Sequence, residues 1–149
     1  MSEVATIAPV RKSISVACSP ERAFEVFTGG VMSWWPTQTH SIHEDKVAEV
    51  VLEPRVGGEM YEVSEAGERE HWARVTAWEP PNRLVLAWQV NPNTDGPTEL
   101  EVTFTPEGDV TRVDLEHRNW EEAGTGGAQM RDNYDGGWDI VLAPFEQAV

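Results

Sequence analysis

Charged and apolar side chains alternate with a period of two along residues 99–117. Leu100, Val102 and Phe104 interleave with Glu99 and Glu101, and after a turn signal from Pro106 to Asp109, Val113, Leu115 and His117 interleave with Asp114 and Glu116. That period belongs to a strand with one solvated and one buried face, and two such runs joined by a short turn make an antiparallel pair. Upstream, four more runs at 47–53, 56–63, 69–79 and 83–90 are separated by Pro54, by Glu65-Ala66-Gly67-Glu68, by Pro80-Pro81-Asn82 and by the stretch from Asn91 to Pro97. Each separator removes ladder donors or supplies turn geometry, so the pair extends into an antiparallel meander. Its dry face needs a cover.

Two segments flank the meander. On the N-terminal side Ile14, Val16 and Cys18 alternate with Ser13, Ser15 and Ala17, which predicts a strand over Arg11 to Cys18. Ser19 then offers an N-cap oxygen, Pro20 suits the first helical position, and Glu21 favours the positive end of the helix dipole. The spacing of Ala23, Phe24 and Phe27 predicts a helix that Gly29-Gly30 ends, followed by a second short helix around Val31 to Trp35 that stops at Pro36 and a loop from Thr37 to Asp45. On the C-terminal side, after a loop from Glu121 to Gly127, Met130, Tyr134, Trp138, Val141, Leu142 and Phe145 recur at helical spacing. One long amphipathic helix results, and it is the natural cover for the dry face. Gly136-Gly137 and Pro144 oppose it, glycine by about 1 kcal/mol relative to alanine and proline by a lost hydrogen bond, so a kink or an early end is expected near Pro144.

Composition narrows the partners. The chain has 149 residues, enough for one ordinary domain over 1–149, with residues 1–10 expected to be a flexible N-terminus. Acidic residues outnumber basic ones 26 to 11, a formal charge of −15 that repels phosphate backbones and anionic headgroups, so no nucleic acid or membrane partner is expected. Cys18 is the one cysteine, no signal-peptide core lies in Met1 to Val10, and no run approaches a membrane span, which together predict a cytoplasmic protein.

Several strings also carry a resemblance. Ser19-Pro20-Glu21-Arg22-Ala23-Phe24, Trp34-Trp35-Pro36, Val56-Gly57-Gly58, the Pro-Pro turn within Trp78 to Trp88, Leu115-Glu116-His117 and Gly137-Trp138 resemble, in that order, the Hsp-ninety ATPase activator homologue (AHSA) family of the START-like, or SRPBCC, superfamily. The resemblance implies an α+β helix-grip fold: a curved antiparallel sheet of about seven strands wrapped around a long C-terminal helix, with two short helices after the first strand. It also implies a cavity between sheet and helix, which superfamily members use as lipid and hormone carriers or as polyketide cyclases. The eukaryotic activator carries a separate chaperone-binding domain for which this chain has no room, so a chaperone partner ranks below a small hydrophobic or aromatic ligand. A fold alone does not decide among these roles.

Trp35, Trp88 and Trp138 sit on elements that surround such a cavity, and with Tyr134 they are candidate ligand contacts as well as candidate core. Met60 and Tyr61 are candidates of which alternation admits one to the inner face, and the sequence does not choose between them. His117 falls on the dry face, where an imidazole needs a hydrogen-bond partner; the structural reading comes first and ligand contact second. Glu59, Glu62 and Arg74 are either polar pocket groups or outward residues, the outward reading being favoured for Glu59. His40 and His43 have a helical metal-ligand spacing but fall in a predicted loop, so no metal ligand is assigned. No nucleophile elbow, phosphate loop, dinucleotide fingerprint or cysteine pair is present, so no catalytic residue or cofactor is assigned, although a buried acid or base would suffice for a cyclase-type enzyme.

Overall fold

The alternation along residues 99–117 becomes an inter-strand register. In the computed structural model, which describes residues 7–149, β6 (Thr98–Glu107) and β7 (Val110–Arg118) pair antiparallel with Leu100 opposite His117, Val102 opposite Leu115 and Phe104 opposite Val113. All six side chains are buried. The remaining strands are β1 (Val10–Val16), β2 (Val47–Leu52), β3 (Glu59–Ser64), β4 (Arg69–Glu79) and β5 (Arg83–Trp88). They form one seven-stranded curled sheet in the order β1-β7-β6-β5-β4-β3-β2, with every neighbouring pair antiparallel.

The connection from β1 to β2 crosses from one edge of the sheet to the other. It begins with α1 (Pro20–Phe27), where Ser19 Oγ accepts from the Arg22 N–H at 3.2 Å and Ala23, Phe24, Val26 and Phe27 face inward. Phe24 meets Phe104 edge-on at 5.3 Å, which seats α1 on one end of the sheet. The expected second short helix is a single 3₁₀ turn, Val31–Ser33, because Trp34 leaves the helical path and donates its indole N–H to Val26 O at 2.7 Å. Another 3₁₀ turn spans Glu44–Lys46.

The final helix, α2 (Gly127–Ala148), lies across the inner face with Trp138, Val141, Leu142 and Phe145 buried. It runs through Pro144 and so corrects the expectation of an early end. Phe145 explains the continuation, since its buried ring is held at 5.2 Å by Phe27 and at 5.1 Å by Trp34, packing that keeps the last turn in place beyond the proline. At the other end, a 3₁₀ turn at Trp120–Ala123 replaces part of the expected loop. A Cβ on Gly127 would stand 2.2 Å from Trp120 O, so this close approach admits no side chain.

Residues 1–6 of the expected flexible N-terminus lie outside the described residues. Within the rest, Ala8 O and Pro9 O accept from the Arg131 guanidinium at 3.1 and 3.2 Å, and Val10 is fully buried as the first residue of β1. On the outer face Arg118 reaches Glu99, Glu101 and Glu116, each at 2.8 Å. Arg118 and Arg83 together hold the Glu101 carboxyl below the usual range. Among the described residues no helix is long and apolar enough to cross a membrane.

Candidate ligand-binding cleft

Between the inner face of the sheet and the middle of α2 lies a cleft of about 290 Å³. Four indoles line it: Trp35, which follows the first 3₁₀ turn, Trp72 from β4, Trp88 at the end of β5 and Trp138 from α2. Trp35 stands 5.0 Å from Trp72, 5.8 Å from Trp138 and 6.2 Å from Trp88, so the rings form one continuous aromatic lining. Trp72 joins them through a bulge. The β3–β4 register passes from Met60 opposite Ala73 to Tyr61 opposite His71, which leaves Trp72 without a partner of its own and buries Trp72 and Ala73 consecutively.

Each indole N–H is already committed inside the protein. Trp35 donates to His40 O at 2.7 Å, Trp72 to Glu62 Oε1 at 2.7 Å, Trp88 to the Tyr134 hydroxyl at 2.9 Å and Trp138 to His117 Nδ1 at 3.0 Å. The cleft therefore presents indole faces and edges rather than indole donors. Burial pushes the Tyr134 phenol above its ordinary pKa, so it stays neutral. That hydroxyl accepts from Trp88, and its own proton has no protein acceptor among the described residues. Tyr134 and Trp88 also line a second cavity of about 200 Å³, so their hydrogen bond forms part of the wall between the two spaces.

His117 lies behind this lining and does not reach the cleft. Since Nδ1 accepts from Trp138, the ring proton sits on Nε2, which donates to Thr98 Oγ1 at 2.7 Å; Thr98 in turn donates to Trp88 O at 3.1 Å. Desolvation lowers the His117 pKa to about 3, so the imidazole is neutral and its hydrogen bonds are complete. The structure thus places His117 behind the lining, with both ring nitrogens engaged by protein groups, and not among the residues that face the cleft.

Of the other predicted positions, the structure brings Trp35, Trp88, Tyr134 and Trp138 together. Met60 faces inward, under the indoles beside Leu52 and Leu84, whereas Tyr61 faces outward with the Arg69 guanidinium 3.6 Å above its ring. Tyr61 is therefore removed from the cavity set, because the period of two that admits Met60 excludes its neighbour. Glu59 pairs with Arg69 and His71 at the outer surface, and the exposed Arg74 donates to Gly57 O. Glu62 is fully buried and accepts from Ile42 N–H at 2.7 Å, His43 N–H at 2.9 Å and Trp72. It thus anchors the loop whose residues His40, Ser41 and Ile42 form the rim of the cleft.

A curled antiparallel sheet closed around one long C-terminal helix, with an aromatic cleft between them, defines a START-like helix-grip protein. Residues 17–149 match the family described as Activator of Hsp90 ATPase homolog 1-like protein, and the chain belongs to that family. Among solved structures it is similar to the anthrahydroquino-gamma-pyrone synthase Txn09 complexed with SUM, with 34% identity and a TM-score of 0.63 over 97% of this chain and 98% of that one. It is also similar to CalC, a self-sacrificing resistance protein from Micromonospora echinospora, with 31% identity and a TM-score of 0.71 over 94% and 92% of the two chains. The Aha1 dimer from Colwellia psychrerythraea shares the fold at 19% identity and a TM-score of 0.69 over 95% and 96%. No curated protein sequence matches the chain.

Proposed function

We propose that this protein binds a planar, polycyclic aromatic small molecule in the cleft between the sheet and α2. The observation that carries the reading is the four-indole lining whose N–H groups are all used internally, because such a wall favours stacking and apolar contact over directional hydrogen bonding. The uncommitted Tyr134 proton adds one donor, suited to a carbonyl or quinone oxygen on the ligand. The similarity to Txn09, an anthrahydroquino-gamma-pyrone synthase, supports the same ligand class. The lone, half-buried Cys18 supports a reducing, cytoplasmic setting.

A second reading is an enzyme acting on such a molecule, favoured by the 34% identity to a synthase and by two titratable groups, His40 and Tyr134, among the residues that line the cleft. Chaperone activation has the family description behind it but no feature of this cleft.

Titrating the purified protein with anthraquinones and with tetracyclic polyketides, followed by tryptophan fluorescence, tests binding. Saturable quenching is expected, and its absence with every compound would overturn the proposal. Analysing the recovered ligand by mass spectrometry separates the two readings: an unchanged compound supports binding alone, whereas a converted one supports the enzyme.

A further inference from the structure

Outside the cleft, His43 Nε2 has no solvent access and no hydrogen-bond partner among the described residues. A buried polar atom left in this way calls for an explanation. The nitrogen faces Glu70 Oε1 at 3.6 Å and Glu68 Oε2 at 3.9 Å, both beyond hydrogen-bond reach. The three potential ligand atoms all lie within 4.8 Å of one another. Neither carboxylate has a Lys or Arg partner among the described residues, in contrast to the arginine-paired Glu99, Glu101, Glu116 and Asp114 of the outer face.

We propose that His43, Glu68 and Glu70 form a zinc site. Zinc takes imidazole and carboxylate ligands at about 2.0–2.2 Å, which sets the edges of its tetrahedron near 3.4 Å. The two nitrogen–oxygen separations exceed that edge by only a few tenths of an ångström. Glu68 and Glu70 are partly exposed and can close the difference by rotamer adjustment, leaving the fourth position to water. The histidine is fixed from behind, since its backbone N–H is held by the buried Glu62 carboxylate. A zinc ion here ties the rim segment from His40 to His43 to the β3–β4 hairpin, so metal binding and the shape of the cleft mouth are coupled.

The test uses the full chain, zinc with a competing chromophoric chelator, and cobalt as a spectroscopic substitute. One equivalent of zinc is expected, with the visible absorption of tetrahedral cobalt when that ion replaces it. Residues that merely support a ligand are worth about 10–100-fold in metal affinity, so His43→Gln should weaken zinc binding by at least that factor. Glu68→Gln and Glu70→Gln at the partly exposed positions should each weaken it while leaving the thermal midpoint of the metal-free protein unchanged. Absence of stoichiometric zinc binding would overturn the site, as would binding that survives His43→Gln or that is lost instead with His71→Gln. If His43 simply packs against the two glutamates, its imidazole resonances in a proton NMR spectrum stay in place when zinc is added, and that result also rejects the proposal.

Discussion

Trp138 on α2 donates its indole N–H to His117 Nδ1 on β7 across the interface between helix and sheet, at 3.0 Å and with both residues buried. This bond sets the histidine tautomer, and the relay through Thr98 then ends on the Trp88 carbonyl. His117→Leu removes the middle of that relay and leaves the Trp138 N–H and the Thr98 hydroxyl short of a partner. A loss of about 1–3 kcal/mol is expected, measurable by urea denaturation, and a variant as stable as the parent would contradict the relay.

Trp138→Ala removes both the relay donor and a buried ring. A cost of about 3–5 kcal/mol is expected, a large part of a total domain stability of roughly 5–15. Unchanged denaturation would mean that α2 does not pack as described.

Acid should act through the same histidine. The native pKa of about 3 lies below the ordinary value of 6.5, so the unfolded chain binds the proton that the native state refuses. Stability from this group is fully present above pH 6.5 and is lost as the pH falls toward 3, with each unit of difference between the two pKa values corresponding to about 1.4 kcal/mol. The expected signature is a fall in thermal midpoint over this window that is shallower in His117→Leu. Parallel curves for the two proteins would reject the assignment.

Tyr134→Phe should separate donor from surface. It deletes the hydroxyl and so also frees the Trp88 N–H that it accepts from, but keeps the ring; affinity for an anthraquinone, measured relative to anthracene in the same variant, should fall by about 2–10-fold, the factor equivalent to one ordinary hydrogen bond. Equal losses for both compounds would place the tyrosine's role in packing instead of oxygen recognition.

Glu62→Ala strips one acceptor from three N–H groups at a fully buried position. A cost of about 3 kcal/mol or more is expected, together with faster limited proteolysis between residues 37 and 45. Protection equal to that of the parent would show that the rim is held by something else.

Much of this architecture was legible because turn chemistry and the period of two agree along the meander. The turn signals isolate each strand, and the alternation places Leu100 and Leu115 on the inner face before any pairing is known. Trp72 was not legible, because the bulge that turns it inward breaks the very period used to read the strand. Choosing Met60 over Tyr61 required the register, which local pattern does not contain. The sequence offered His117 both a structural and a ligand role; its two ring partners, Thr98 on β6 and Trp138 on α2, come from distant parts of the chain and are not contained in the local pattern. Pro144 shows the opposite limit, since local propensity ends the helix there while contacts from Phe27 and Trp34 sustain it.

The pairing of β1 with β7 has a consequence for how the protein is made. Val10 leaves the ribosome well before its ladder partner His117, which emerges only after the entire meander has been synthesised. The hairpins from β2 to β7 join neighbours in sequence and can form as they appear, whereas closing the β1 edge spans most of the chain and carries the loop-closure entropy of a distant contact. Until that closure, β7 presents an open edge capable of pairing with another nascent chain. The amides of Val10 to Val16 should therefore be among the last to gain protection in pulsed hydrogen exchange during refolding.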